Sequence, residues 1–542
     1  MKKLSRRQFL KVCSCAGVAA GTATVLSGCG ASSSTASSAA SSGAASSSSS
    51  ANPYLASETP VTFKIFASLN NMAFDSTWPV FQKAAEATNV SLEGVIPQTN
   101  SDVTAAFNLM VSSGDLADII SYNTTAELEK LGHSGGLLAL NDLIDQYAPH
   151  IKEALDKYTG LRGEMTALDG NIYEVRKANI LYPAEYWWIR KDWLDKLGLA
   201  IPETVDDLHD VLTAFRTKDP NGNGQQDEVP LFDRAGYKMP DEYLWLWDSS
   251  TEFNAVDGKM VFEPMEENFK VAVPNIAQWY KEGLIDPEIF TRGPKSRDIL
   301  FGGNLGGCTH DWVSASGYND SLKTDVPGFN LVSMAPPKNQ NGKIIERARR
   351  NASSAGWCIS STCPDPVAAI KYMDYFYTDE GSRLANFGIE GDSYTVNADG
   401  TIAYTDKIMK SESTPLGALR AMGVGFCIGM PQLPEYEYAS MTQAGKDATK
   451  MYDEHREWYP TNQPPFADGR LNLRYPEEDE TEYTRIMGDI RSYVDEKFQA
   501  WMMGTADFAK EYDGFVAELK SRGIDRAIEI NQTAYEAYLA KL

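Results

Sequence analysis

Between Asp219 and Glu228 the chain reads Asp-Pro-Asn-Gly-Asn-Gly-Gln-Gln-Asp-Glu, an order of residue types suited to a hard divalent cation. Oxygen-bearing side chains occupy the first, third and fifth places (Asp219, Asn221, Asn223), and Gly224 at the sixth allows a tight turn. Gln225 at the seventh offers its carbonyl, and Asp227 at the ninth a carboxylate. These are the first nine places of an EF-hand calcium loop. The twelfth place, normally a bidentate glutamate, is Pro230, so Glu228 is expected to fold in and supply both oxygens. The expectation is a structural, non-catalytic calcium ion held by Asp219, Asn221, Asn223, Gln225, Asp227 and Glu228. A polar Asn-Gly turn without an ion is the competing reading.

The element that must position this loop precedes it. Thr204 and Asp207 fit a capping box, and Leu208, Val211, Leu212 and Phe215 share one helical face, so a helix from Thr204 to Phe215 delivers the chain to Asp219. Further upstream, Val61–Leu69, Ser91–Ile96 and Ala117–Tyr122 read as strands, and Trp78–Thr88 and Val103–Val111 as helices. That alternation predicts an α/β fold with parallel strands covered by helices. Asn171–Val175 reads as another strand before the aromatic run Tyr186-Trp187-Trp188-Ile189. At the other end, Tyr483, Ile486, Ile490, Val494 and Phe498 have helical spacing, and two more helices are expected after Gly504, split near Gly523.

The start of the chain is an export leader. Ser5-Arg6-Arg7-Gln8-Phe9-Leu10-Lys11 is followed by a mildly apolar stretch and Leu26-Ser27-Gly28-Cys29. Paired arginines in this setting point to the twin-arginine route. Leu-Ser-Gly-Cys resembles a bacterial lipobox, which implies cleavage after residue 28 and lipid on Cys29. A membrane-spanning helix is disfavoured, because Gly, Ala, Ser and Thr outnumber strongly apolar side chains between Lys11 and Cys29. Residues 29–58, rich in serine and alanine, read as a flexible tether with no apolar surface to bury.

The formal charge is −24. Cleavage removes Lys2, Lys3, Arg6, Arg7 and Lys11 and no acid, so the mature body is more acidic still. Nucleic acid is excluded as a partner and anionic membrane surfaces are disfavoured, since no basic stripe exists to displace counterions; contact with the membrane is expected through the lipid alone. Four cysteines remain in the body, Cys308, Cys358, Cys363 and Cys427, and their pairing stays open. Cys358 and Cys363 lack the second close cysteine pair or histidine that zinc would need.

Several segments together resemble the lipoprotein solute-binding proteins of family 1 from Gram-positive bacteria. They are Trp188-Ile189-Arg190-Lys191-Asp192-Trp193-Leu194, Pro202-Glu203-Thr204-Val205-Asp206-Asp207 with the loop after it, Gly170-Asn171-Ile172-Tyr173, Tyr377-Thr378-Asp379-Glu380-Gly381 and Ile528-Glu529-Ile530-Asn531-Gln532. The resemblance implies a two-lobe periplasmic-binding-protein-like fold of type II, with hinge-linked lobes, a ligand cleft and extra C-terminal helices. It also implies calcium at the loop, as in related alginate-binding proteins. Residues 59–180 plus 337–387 are expected to form the N-terminal lobe, 181–336 plus 388–504 the C-terminal lobe, and 505–542 helices packed on the lobes. Crossings are expected near Ala178–Tyr182, Met334–Pro337 and Phe387–Tyr394, where Pro336-Pro337, Gly388 and Gly391 fit turns.

The function this implies is a lipid-anchored, monomeric receptor on the outer face of the cytoplasmic membrane. It would capture an oligosaccharide, or a peptide or other small polar solute, and pass it to the permease of an ABC importer. Sugars pack their C–H faces on aromatic rings and bond carboxylates and amides at their edges. His310-Asp311-Trp312 resembles the segment that brings a tryptophan to the cleft, so Trp312 and Asp311 lead the candidates, with Trp245, Trp247, Trp357, Tyr318 and Trp78 behind them. Trp187 and Trp193 are assigned to the core. No metalloprotease, nucleophile-elbow, Walker or dinucleotide motif is present. A secreted glycosidase or lyase stays open as the alternative, because paired carboxylates meet in space rather than in sequence.

Overall fold

Strand pairing divides the body into two mixed sheets, each covered on both faces. The structure, a computed structural model, describes residues 52–69, 72–97, 102–122, 124–158, 160–179, 183, 185–234, 240–346, 349, 352–426, 428–459 and 473–540. The leader, Cys29, most of the tether, Cys427, Arg347 and Arg350 lie outside the described residues.

In chain order the strands are β1 (Val61–Phe66), β2 (Val90–Gly94), β3 (Ile119–Ile120), β4 (Val175–Asn179), β5 (Glu185–Arg190), β6 (Val229–Leu231), β7 (Gly306–Trp312), β8 (Leu331–Met334), β9 (Ala352–Ile359) and β10 (Pro431–Gln432). The first sheet has the order β10-β4-β9-β3-β1-β2. β1 pairs parallel with β2 and β3, and β9 runs antiparallel between β3 and β4. The second has the order β8-β5-β7-β6, with β5 antiparallel to both neighbours and β6 parallel to β7.

Side-chain alternation explains why both sheets hold. Phe63, Ile65, Trp357 and Ile359 face one core of the first sheet, and Phe66, Ile120 and Cys358 face the other. Trp187 and Ile189 of β5 enter one core of the second sheet, and Tyr186 and Trp188 the other. Every residue of β5 is therefore buried, as a strand covered on both faces should be. Trp187 and Trp193 are core residues, as their sequence setting predicts.

The chain leaves the first sheet at Asn179 and enters the second at Glu185, and it returns between Met334 and Ala352. The third passage differs from expectation. Tyr394, Tyr404, Leu419, Val424, Phe426, Met430 and Tyr436 all pack in the first core, and β10 pairs with β4. Residues 388–436 therefore belong with the first sheet, and the passage falls after Tyr436, before a helix at Gln443–Glu454 puts Ala448 and Tyr452 beneath Tyr186 and Trp188. Gly388 and Gly391, with φ of 84° and 81°, instead shape the turn leading into a hairpin of Tyr394–Val396 with Ile402–Tyr404.

The helix after the capping box spans Val205–Thr217, with Thr204 and Asp207 bonded reciprocally. Three terminal helices, Glu477–Met502, Phe508–Ser521 and Ile524–Leu539, bury Ile486, Ile490, Phe498, Phe515, Leu519, Ile524 and Ala527 in the core that holds Trp187. No described helix is long and apolar enough to cross a membrane.

Candidate functional site

β7 carries the candidate ligand residues because it can lie close to its neighbours. At Gly307 an added Cβ would come within 2.7 Å of the Phe215 ring and 2.8 Å of the Pro230 carbonyl. Absence of a side chain there lets the strand pack against the helix that precedes the calcium-like loop. The strand ends at Trp312, 42% exposed, with a short 3₁₀ turn beginning at Val313.

Alternation separates residues that are adjacent in sequence. His310 and Trp312 project to one face of the sheet and Asp311 to the other. Across the strand pair, Trp312 stands opposite Glu185 and His310 opposite Trp187. His310 is wholly buried, its Nδ1 3.2 Å from Glu242 Oε1 and its Nε2 3.2 Å from Glu346 Oε1. The Trp187 and Trp245 rings lie 5.2 and 6.0 Å from the imidazole. Ligand atoms of Glu185, Glu242 and His310 lie within 4.8 Å of one another, close enough to share a cation or a set of sugar hydroxyls. Tyr452 contacts Glu346 at 3.4 Å, and burial raises its phenol well above the ordinary value.

On the opposite face, Asp311 is wholly buried. Its Oδ1 accepts from Arg234 Nε at 3.0 Å and Nη2 at 2.6 Å, and from the Trp312 backbone N–H at 2.6 Å. Its Oδ2 lies 3.3 Å from Arg297 Nε.

Of the aromatic candidates, Trp312 alone is exposed. Trp245 is buried beside His310, and Tyr318 is half-buried with its hydroxyl on Asp298. Three others are core residues, against expectation. Trp357 packs on Tyr372 and Phe376 and donates to the Gly429 carbonyl at 3.3 Å. Trp247 packs on Trp279. Trp78 packs on Phe74 and Phe426. Each is enclosed by its neighbours, which aromatic type alone does not reveal. Glu185, Glu242, His310 and Glu346 escape sequence reading because four separate segments contribute them; the period of two along β7 was the available clue for His310. Glu346 is buried, and Arg349 pairs with Glu437.

A cavity of about 650 Å³ lies elsewhere, between the helices Pro79–Thr88 and Asp379–Phe387, and none of the candidate residues lines it.

The loop at Asp219–Glu228 is wound on its own oxygens. Asp219 Oδ1 accepts from the backbone of Gly222 (2.8 Å) and Asn223 (3.0 Å), and Oδ2 from Gly224 (2.9 Å). Gly222 and Gly224 have φ of 76° and 78°, the left-handed conformation glycine adopts without strain. The Asn221 and Asn223 amides both reach Asp227, at 3.1 Å and 3.0–3.1 Å. Glu228 folds in, with Oε1 3.5 Å from the Asn221 N–H and Oε2 buried without a hydrogen-bond partner. Burial, then the charges of Asp219 and Asp227, raise its pKa. An unsatisfied buried carboxylate oxygen among like charges and neutral oxygens fits a divalent cation. Gln225 is exposed and donates its backbone N–H to Asn223 Oδ1 at 2.7 Å.

Cys308, Cys358 and Cys363 are free thiols, with burial raising Cys358 well above the ordinary value and Cys363 to about 11.

The sequence profile of the bacterial extracellular solute-binding proteins matches residues 66–383. The chain belongs to that family. It is 29% identical over 504 residues to the fructooligosaccharide ABC transporter substrate-binding protein FusA of Streptococcus pneumoniae serotype 4, covering 85% of this chain and 87% of that one. A crystal structure of the alginate-binding protein AlgQ2 without calcium ion is similar, at 34% identity and TM-score 0.73 over 89% of this chain and 99% of that one. A FusA EF-hand mutant in complex with fructo-nystose matches at 25% identity and TM-score 0.67, covering 89% of this chain and all of that one. The two mixed sheets are consistent with the two-lobe fold of the solute-binding proteins.

Proposed function

We propose that this solute-binding protein is the lipid-anchored receptor of an ABC importer for a neutral oligosaccharide, tethered through Cys29. The observation that carries the reading is Trp312, an exposed indole at the end of β7 opposite Glu185, with the buried His310–Glu242 pair behind it on the same side of the sheet. An exposed aromatic ring with a carboxylate on the neighbouring strand matches a sugar's apolar face and hydroxyl edge. The excess of acids over bases, 74 against 50, disfavours polyanionic sugars. FusA, which binds fructo-nystose, supports the neutral class.

Capture works through closure. Ligand that touches both lobes binds the closed arrangement better than the open one and shifts the population toward it, and the permease then reads the closed shape. The sugar is released unchanged. Calcium, bound at Asp219, Asn221, Asn223, Asp227 and Glu228 with the Gln225 carbonyl, would lock the loop that leads from the Val205–Thr217 helix into β6. Small-angle scattering with the tetrasaccharide nystose tests the reading. A smaller radius of gyration with intact sugar recovered supports it; cleaved sugar would move the protein to the enzyme class.

A further inference from the structure

Trp312 sits where a strand stops, a place where side chains ordinarily move, yet a receptor platform works best when it is ordered before the ligand arrives. The residues that could order it are on the far face of the sheet. We infer that Asp311, held by Arg234 and Arg297, is the positioning residue of the Trp312 platform and makes no ligand contact itself. This rests on the reading of Trp312 as the surface that receives sugar.

The geometry runs through the backbone. The Asp311 carboxylate accepts the Trp312 N–H at 2.6 Å, which fixes the peptide that carries the indole. Arg234 grips the same oxygen through Nε and Nη2. Arg297 approaches the other oxygen at 3.3 Å and donates from Nη1 to Ser314 Oγ at 3.2 Å, so one guanidinium spans Trp312 from the residue before it to the second residue after it. The Asp311 carbonyl in turn accepts from Trp188 Nε1 at 3.0 Å, tying the same peptide plane to the core. With its carboxylate wholly enclosed, Asp311 has no surface to offer a ligand. A buried charge of this kind is costly to desolvate and costs more when one partner is removed, so its loss is felt first at the backbone it holds.

The test uses the full-length chain labelled with 5-fluorotryptophan, one ¹⁹F signal for each of 11 tryptophans, with the Trp312 signal assigned by Trp312→Phe. Asp311→Asn is expected to shift and broaden the Trp312 signal while those of Trp247, Trp357 and Trp501 stay in place. Nystose affinity by calorimetry should fall about fivefold in Asp311→Asn, and by less than twofold when the same change is made in a Trp312→Ala background. Arg297→Gln runs through the same series and carries the test if Asp311→Asn does not fold. An unmoved Trp312 signal in the folded variants overturns the inference and leaves the proposed function standing, as does an equal loss of affinity in both backgrounds. A Trp312→Ala variant that binds nystose as tightly as the parent removes the platform reading, and the inference with it.

Discussion

Arg349 and Glu437 form a two-pronged ion pair, Nη1 to Oε1 at 3.1 Å and Nη2 to Oε2 at 2.6 Å, with each side chain 18% exposed. Arg349 lies on the second passage between the lobes, and Glu437 on the helix just before the third. The pair therefore ties the segment between β8 and β9 to the short helix Glu435–Tyr438. Glu437→Gln is expected to lower stability by about 1 kcal/mol, the scale of a partly buried bidentate pair. A double-mutant cycle with Arg349→Gln, followed by urea unfolding, should recover most of that loss as coupling. Additive losses would mean that the two residues act separately.

The loop at Asp219–Glu228 predicts a calcium-dependent response to pH. The folded pKa of Glu228 lies above its unfolded value, so its contribution to stability is present at acid pH and is lost as pH rises through the folded value. A calcium ion held there would bind the deprotonated form and reverse that loss. In chelator, melting temperature should fall as pH rises above the ordinary carboxylate range; with calcium the fall should disappear. Glu228→Gln should flatten the chelator curve and weaken calcium binding, read by titration calorimetry.

A second acid sets a pH window of its own. Burial raises Glu174 to about 7, opposed by Arg176. Thr125, Glu129 and Arg474 also face it, and Arg474 comes from the segment leading into the Glu477–Met502 helix, where it donates to Glu129 at 2.5 Å and to the Glu164 carbonyl at 2.6 Å. Between the unfolded value near 4.5 and the folded value near 7, the unfolded chain gives up this proton first, so stability declines across that interval. Glu174→Gln should reduce the decline between pH 5 and 7 in denaturant titrations; an unchanged slope would remove Glu174 as its source.

Trp312 and Trp357 should separate function from packing. Trp312→Ala is expected to weaken nystose binding tenfold or more, about 1.4 kcal/mol, with little change in melting temperature. Trp357, wholly buried against Tyr372 and Phe376, should cost about 3–5 kcal/mol of stability when cut to alanine. Paired calorimetric binding and unfolding measurements check both.

Much of the architecture was legible because it is local. Thr204 and Asp207 announce a helix by their spacing, and that helix forms with its capping box intact. The order of oxygens in Asp219–Glu228 specifies a wound loop, and Glu228 folds inward as expected. The terminal helices and their break at Gly523 follow from periodicity. The misses depend on long-range packing. Gly388 and Gly391 look the same in sequence whether they serve a hinge or a turn, and only the burial of Tyr394 to Tyr436 in the first core decides between them. Asp311 and Trp312 are neighbours in sequence, but a pleated strand sends them to opposite faces. Glu185, Glu242 and Glu346 meet His310 only because three separate segments converge on β7.

The central claim, capture of a neutral oligosaccharide at Trp312, is tested most directly by the melting temperature of the calcium-loaded protein across a panel of neutral oligosaccharides, oligouronates and peptides. A ligand at 100 times its Kd stabilises the folded state by about 2.7 kcal/mol. The account predicts a clear rise with at least one neutral oligosaccharide and its loss in Trp312→Ala. A rise confined to oligouronates or peptides, or one that survives in Trp312→Ala, would contradict it.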